Sequence, residues 1–343
     1  MAEVAQAAGV SVMTVSYAYA LPARVAPETR AAVQAAAKRL GYPGPHPGAR
    51  SLRRGRTGNL GVVLGEHLTY AFDDPQATRF LSGVAQVCAE RGAGLMLLPV
   101  TGAPTDVDRI RNAAVDGFVV WTTADDDPVI DAVASTALPA VVHGGPRRDD
   151  LGFLSIDERA AARAVASEVY VGGHRPGVLS FPVDRARRSG IALGTEPDAA
   201  TFRVTRERLR GFRDAWTVRG GRWADVPVAV CATNSTTEGA ALAVEMITGP
   251  LGCDSIAAMS DELALGVLRA AGELGLSVPD DVAVTGWDDT HAAGPAGLTT
   301  IAQSLRDQGI ACARAALDAV TEIDHDDPSR RWQLVVRRST RTA

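Results

Sequence analysis

Lysine is nearly absent from this sequence: only one of its 35 basic residues, Lys38, is a lysine. We read that as a compositional bias towards arginine, alanine and glycine, without functional meaning. Cysteine is scarce too. Cys88, Cys231, Cys253 and Cys312 are scattered, with no Cys-x-x-Cys pair. That pattern supports neither a zinc site nor a disulfide framework and fits a reduced, cytoplasmic protein. No apolar run approaches the roughly 20 residues of a membrane span, so no membrane contact is expected. The first residues lack the apolar h-region of a signal peptide. Also missing are a nucleophile elbow, a P-loop and any metal-spaced His/Asp cluster. No catalytic residue, metal or cofactor is therefore expected, and an enzyme acting on a sugar or nucleoside is the remotest reading.

What is present is charge of both signs, segregated. Residues 1–58 hold eight basic side chains (Arg24, Arg30, Lys38, Arg39, Arg50, Arg53, Arg54 and Arg56) against Glu3 and Glu28, a net of +6. The remainder holds 27 basic and 38 acidic side chains, a net of −11. The chain average of −5 hides this asymmetry. A positive head on a negative body points to a polyanion met by the head alone. At 343 residues the chain exceeds one hydrophobic core, so two or three units are expected. Its 46% hydrophobic and 22% charged content is that of an ordinary soluble globular protein.

Residues 2–8 have helix potential, and Gly9 breaks them. Ser11 can cap a second helix through about Tyr19. A third begins at Pro27-Glu28, with proline and an acid in its first turn, and runs to Leu40 before Gly41. Helix, glycine-containing turn and helix is the layout of a helix-turn-helix. Val4, Ala8, Val10 and Val15 have the spacing of a small core; Ala31, Val33, Ala35 and Leu40 give the third helix its apolar face. With Val15 inside, Val12, Met13, Ser16, Tyr17 and Ala20 face outward, towards a major groove. Any short alanine-rich three-helix unit would look similar; the basic excess favours DNA.

The stretch Val4-Ala5-Gln6-Ala7-Ala8-Gly9-Val10-Ser11-Val12-Met13-Thr14-Val15-Ser16 closely resembles the opening of lactose-repressor-type (LacI/GalR family) transcription factors. Val25-Ala26-Pro27-Glu28-Thr29-Arg30, Leu40-Gly41-Tyr42 and Ala49-Arg50-Ser51-Leu52-Arg53-Arg54-Gly55-Arg56-Thr57-Gly58 continue the resemblance in order, and it then runs nearly to the C-terminus. It implies phosphate contacts from Ser11, Thr14, Ser16 and Thr29 and base-edge contacts from Val12 and Met13. Tyr17 and Ala49 belong to the same DNA-binding set. Leu52 would be the wedge that enters the minor groove, its alternative being a buried leucine at a linker junction. Tyr17 stands where the family usually has a base-reading arginine, and Ala20 where it has an asparagine. A bidentate arginine–guanine contact discriminates by about 1–3 kcal/mol per base pair, so a divergent operator is expected. Met1 sits where the family has the residue after a threonine cap, so the true start is expected several codons upstream. The linker Pro43-Gly44-Pro45-His46-Pro47-Gly48 is rich in helix breakers. Either a hinge helix begins near Pro47 and forms only with two chains and DNA, or the segment is a flexible tether. The expected units are a helix-turn-helix domain over 1–45 and a linker or hinge helix over 46–58.

From Gly58 onwards, apolar runs alternate with amphipathic stretches. Residues 60–64, 95–100, 117–121, 140–143, 177–181, 228–232, 255–259, 282–285 and 334–336 read as strands. Residues 77–91, 158–171, 206–219, 237–248, 262–274 and 305–320 read as helices. This alternation predicts an α/β body of doubly wound parallel sheets, with more strands than one sheet needs and hence two lobes. Ligands of such folds bind at the carboxyl ends of strands, here between the lobes. The resemblance implies a periplasmic-binding-protein-like effector-binding and dimerisation domain over 59–343. Its first lobe would take about 59–176 and 303–325, its second about 177–302 and 326–343. Gly172-Gly173-His174-Arg175 resembles the junction before the second lobe, with His174 structural.

By the same resemblance, Arg208, Asp261 and Asp288 match or adjoin effector-facing positions, with Ser260 where the family usually has asparagine. A carboxylate and a guanidinium facing each other hold vicinal hydroxyls, and Trp287 offers a flat face to a sugar ring. The alternatives are a helix N-cap for Ser260 or Asp261, a surface charge for Arg208 and core for Trp287. Tyr70 and Phe72 lie where relatives carry Asn-Pro-Phe and are read as pocket-lining. Residues 184–201, long, polar and glycine-containing, are either a disordered insertion or a lid.

The reading that follows is a sequence-specific DNA-binding regulator, a repressor, acting in the cytoplasm. Its partners would be double-stranded operator DNA, a small-molecule effector and a second copy of itself, as a homodimer or tetramer. A sugar or sugar derivative stands ahead of a nucleoside or purine as effector. The alternative is a small-molecule sensor or solute-binding protein with degenerate DNA binding, favoured by Tyr17, Ala20 and the late start.

Overall fold

The computed structural model describes residues 1–44, 55–320, 322–324 and 326–341. The chain divides into two compact units, Met1–Gly58 and Asn59–Ala343.

In the first unit, α1 (Ala2–Ala8), α2 (Val12–Ala20) and α3 (Pro27–Arg39) follow the local signals. Gly9 ends α1 at φ 67, a left-handed conformation that glycine adopts without steric cost. The Ser11 hydroxyl caps α2 by accepting the Thr14 N–H at 3.0 Å. Ser11→Ala is expected to destabilise the head by about 1 kcal/mol, read as faster amide exchange over residues 12–20 in the full chain. Val4, Ala5, Val15, Ala18, Val33, Ala36 and Ala37 form the core, with Ala8, Val10, Tyr19 and Tyr42 packed against it. Ala31, Ala35 and Leu40 are exposed, contrary to expectation. Residues 33, 36 and 37 lie on one face of α3 and positions 31 and 35 lie off it, whereas Leu40 is the C-cap, beyond the last helical residue.

In the second unit the elements run β1 (Asn59–Leu64), α4 (Tyr70–Asp73), α5 (Pro75–Arg91), β2 (Gly94–Pro99), α6 (Asp106–Arg111), β3 (Gly117–Trp121), α7 (Pro128–Ser135), β4 (Ala140–His143) and β5 (Gly152–Leu154). They continue with α8 (Glu158–Val169), β6 (Pro176–Ser180), β7 (Gly190–Leu193), α9 (Arg203–Val218), β8 (Pro227–Val230), α10 (Thr236–Thr248), β9 (Ser255–Ala258) and α11 (Asp261–Glu273). Last come β10 (Ala283–Thr285), α12 (Ala293–Ala296), β11 (Thr300–Gln303), α13 (Leu305–Leu317) and β12 (Trp332–Val335).

The strands form a parallel sheet in the order β2-β1-β3-β4-β5 and a second in the order β10-β9-β6-β8-β7, in which only β7 runs antiparallel. β11 and β12 make an antiparallel pair of their own. Each five-stranded sheet is apolar on both faces, as buried parallel sheets require. The chain crosses between the sheets repeatedly. α13 returns from β11 to pack on β3, β4 and α5. Its contact with α5 is made at Gly83 and Gly309, where an added Cβ would lie 2.1 Å from the Arg306 carbonyl oxygen and 2.2 Å from that of Phe80. Only glycine allows the two helices so close.

Two expectations need correction. Helix α8 packs on α9 and on β9–β12, burying Ala161, Ala162, Val165, Ala166 and Val169 with Val178, Leu209 and Phe212. The boundary between the lobes therefore falls between Leu154 and Ile156, not at 176. Residues 184–201 contain β7, which extends the second sheet as an edge, and a 3-10 turn at Pro197–Ala199, so of the two alternatives the disordered insertion is set aside.

Candidate functional site

On the head, the outward face of α2 presents Val12, Met13 and Tyr17, which are 45%, 62% and 39% exposed. Ser11 is exposed, and Thr14, Ser16, Ala20 and, on α3, Thr29 are half-buried. This is an apolar and hydroxyl-bearing surface of the kind that meets thymine methyl groups and phosphates. Ala49, Leu52 and the hinge-helix expectation lie outside the described residues.

In the body, a cavity of about 670 Å³ opens at the carboxyl ends of the strands of both sheets. The first sheet contributes the residues after β1 and β3, Tyr70 and Asp74 around α4, and His143 at the end of β4. The second contributes Phe181 after β6, residues 232–237 after β8, Asp288 after β10, and Thr205 and Arg208 of α9.

Arg208 is buried, and everything around its guanidinium holds it in one pose. Nε donates to Glu158 at 2.7 Å, and a terminal nitrogen donates to the Met259 carbonyl. Its charge lies 3.8 Å from the centre of the Trp287 ring and 5.5 Å from that of Phe181. Asp288 has a left-handed backbone, φ 105, uncommon for a residue with a side chain. Its N–H donates to the Ile301 carbonyl at 2.7 Å, and its carboxylate accepts from Gln303 Nε2 at 2.8 Å. Burial pushes this carboxyl well above the usual carboxylate range, against the pull of the Arg208 charge.

Behind Asp288 runs a hydrogen-bonded row through residues of three elements. Gln303 Oε1 accepts from Gln308 Nε2 at 3.1 Å, and Gln308 Oε1 faces His143 Nε2. An amide oxygen only accepts, so the imidazole proton sits on Nε2 and every donor points towards Asp288. Burial holds His143 neutral by lowering its pKa to about 4. A second contact between the sheets joins Asn234 Nδ2 to Asp74 at 2.8 Å, with Asn234 Oδ1 accepting from Ser260. Asp74 in turn caps α5.

Three expected effector positions, Tyr70, Arg208 and Asp288, line this cavity; Phe72, Ser260, Asp261 and Trp287 do not. Phe72 points out of the fold at 69% exposure. Ser260 is the buried N-cap of α11, accepting the Leu263 N–H at 3.1 Å. Asp261 is spent on the Thr290 N–H (2.6 Å) and the Thr300 hydroxyl (2.7 Å), and burial raises its pKa to about 6. Trp287 is fully buried, and its ring supports Arg208 by cation–π attraction. Sequence reasoning missed Glu66, His143, Glu158, Arg187, Asn234 and Gln303. The position of Glu66 and His143 at strand ends was the available signal for those two. Among the described residues no cluster of His, Cys, Asp and Glu could hold a metal ion, and no helix is long and apolar enough to cross a membrane.

Comparison with known proteins extends both halves of this description. Residues 1–44 match the family described as bacterial regulatory proteins, lacI family, and residues 185–340 match the periplasmic binding protein-like domain. The HTH-type transcriptional regulator IpsA of Corynebacterium glutamicum is 35% identical over 93% of this chain and 91% of its own. The crystal structure of a LacI family transcriptional regulator from the same organism has a TM-score of 0.71 at 31% identity, covering 94% of this chain and 95% of that one. A structure of the transcriptional regulator CelR in complex with cellobiose has a TM-score of 0.67 at 25% identity, covering 98% of both chains. The chain thus belongs to the lacI family of bacterial regulatory proteins and is a DNA-binding transcriptional regulator.

Proposed function

We propose that the protein is a repressor whose effector is a neutral polyhydroxylated molecule, a sugar or sugar derivative, bound between the two sheets. The observation that carries this reading is the group Arg208, Asp288 and Gln303 on the cavity wall. A fixed guanidinium, a carboxylate and an amide offer charge-assisted hydrogen bonds to neighbouring hydroxyls. Tyr70, Trp121, Phe181 and Phe202 supply the apolar faces that suit a ring's C–H surface. Carboxylates on the wall (Glu66, Asp73, Asp74, Glu158, Glu262 and Asp288) outnumber its guanidiniums, Arg187 and Arg208, which disfavours an anionic ligand. The cavity volume lies within the roughly 300–1,000 Å³ usual for small-molecule sites, and the cellobiose complex of a structural neighbour is in line with the same ligand class.

DNA contact is assigned to Val12, Met13 and Tyr17 at base edges and to Ser11, Thr14, Ser16 and Thr29 at phosphates, with Ala49 and Leu52 contributing from the linker. Two heads on a homodimer read two half-sites. Effector-driven closure alters the spacing of the heads, a coupling of about 1–3 kcal/mol. A gel shift on DNA upstream of the gene is expected to show binding that weakens steeply with salt. A thermal-shift panel is expected to raise the melting temperature with a sugar more than with any nucleoside. Absence of DNA binding at low salt would leave only the sensor reading; a nucleoside hit without a sugar hit would overturn the ligand class.

A further inference from the structure

The polar segment that joins β6 to α9 is rooted in one sheet and fastened to the other. At its root, β7 pairs with β8, and the Ser189 hydroxyl bonds to Glu238 at 2.8 Å and to the Val230 carbonyl at 3.2 Å. At its tip, Asp184 builds a turn: its carboxylate accepts the Ala186 N–H at 2.9 Å, and its carbonyl accepts the Arg187 N–H at 3.2 Å. Arg187 occupies the left-handed region at φ 48, which carries its side chain to the first sheet. There its guanidinium donates to the Gly65 carbonyl at 3.1 Å and pairs with the Glu66 carboxylate, while Phe202 lies 5.6 Å beneath it. Arg185 pairs with Asp127 at 3.6 Å. Beyond the turn, the Thr201 carbonyl accepts the Asp125 N–H at 2.9 Å. Arg187, Glu66 and Phe202 all line the cavity.

We propose that residues 184–189 form a strap across the cavity, latched by Arg187 of the second lobe on Gly65 and Glu66 of the first. The pair is half-buried on both sides, with Arg187 and Glu66 side chains 29% and 28% exposed. Closing the strap withdraws Glu66 from water, and Arg187 supplies the compensating charge. An anionic ligand that captured Arg187 would leave Glu66 partly buried and unpaired, so the latch also selects for neutral ligands. That consequence rests on the cavity being the effector site; the latch does not, and its test needs no ligand.

Hydrogen–deuterium exchange of the full chain, followed over a peptide spanning 182–190, reads the strap directly. Glu66→Gln and Arg187→Gln are each expected to speed exchange there by about ten-fold, and the double variant by no more than either single, as a shared contact requires. The reversed pair, Glu66→Arg with Arg187→Glu, is expected to exchange more slowly than either single variant but faster than the parent, because a carboxylate at 187 restores the ion pair and cannot donate to the Gly65 carbonyl. Exchange over β3 serves as the control that each variant is folded. Unchanged exchange in the single glutamine variants, or effects that add in the double, would overturn the latch. Failure of every sugar in the thermal-shift panel would remove the effector reading and leave the latch standing.

Discussion

Arg208→Met is expected to lower the stability of the body by roughly 3–5 kcal/mol, the usual cost of leaving a buried ion without its partner. Both side chains of the Arg208–Glu158 pair are only 5% exposed. The substitution also strips the Met259 carbonyl and the Trp287 ring of their contact. Urea denaturation measures the loss. Adding Glu158→Gln to the variant is expected to recover part of it, because the stranded charge is then gone. Arg208→Lys is expected to fail as well, since an ammonium cannot reach Glu158 and Met259 together while lying flat on the indole. A stability within about 1 kcal/mol of the parent for Arg208→Met would show that Glu158 finds water or another partner. If the cavity is the effector site, as proposed above, effector affinity falls in all three variants, since Arg208 lines that cavity.

Acidification brings the second large effect. The folded chain holds His143 neutral down to about pH 4, whereas the unfolded chain protonates it near 6.5. Protons are therefore bound by the unfolded state first, and stability falls as pH drops through this window, then levels off below it. The full displacement corresponds to roughly 3 kcal/mol. Asp261 and Asp288 work in the opposite sense. Burial raises both, so each costs stability above its unfolded value and is relieved as pH falls through the folded one, about 6 for Asp261. Urea denaturation at pH 6.5 and 4.5 should show a smaller acid loss in His143→Gln than in the parent. An equal loss in the two proteins would mean that His143 is not the group responsible.

The parts of the fold legible in the sequence are those that bury continuous apolar runs. β1, β3, β4, β6 and β9 carry such runs and stand where expected. β5 has three residues and β7 four, so their apolar side chains are too few to stand out as a run. In α3, alanines occupy both faces, and periodicity cannot tell Ala31 and Ala35 from Ala36 and Ala37. The same reasoning explains the site. Tyr70 and Phe72 are two residues apart in a single helical turn, so one faces in and the other out. Ser260, Asp261 and Trp287 surround the cavity wall from behind, where sequence proximity to a strand end cannot separate lining from support. The row His143, Gln308, Gln303 and Asp288 draws one residue from each of four places in the chain. No local pattern announces it, because only the fold brings those residues into line.

The return of α13 to the first sheet sets an order of events on the ribosome. Leu305, Cys312, Ala313, Ala315 and Ala316 complete a core otherwise built by residues 60 to 154. β1 to β5 therefore emerge early and wait, one face covered by α5 but not yet by α13, while the entire second sheet is synthesised. An apolar face left waiting in this way invites aggregation or chaperone binding. A nascent chain halted near residue 300 would hold a first lobe without α13 and a second lobe still lacking β12 and the Ser339 bond to the Val284 carbonyl, so both lobes wait for the C-terminal segment.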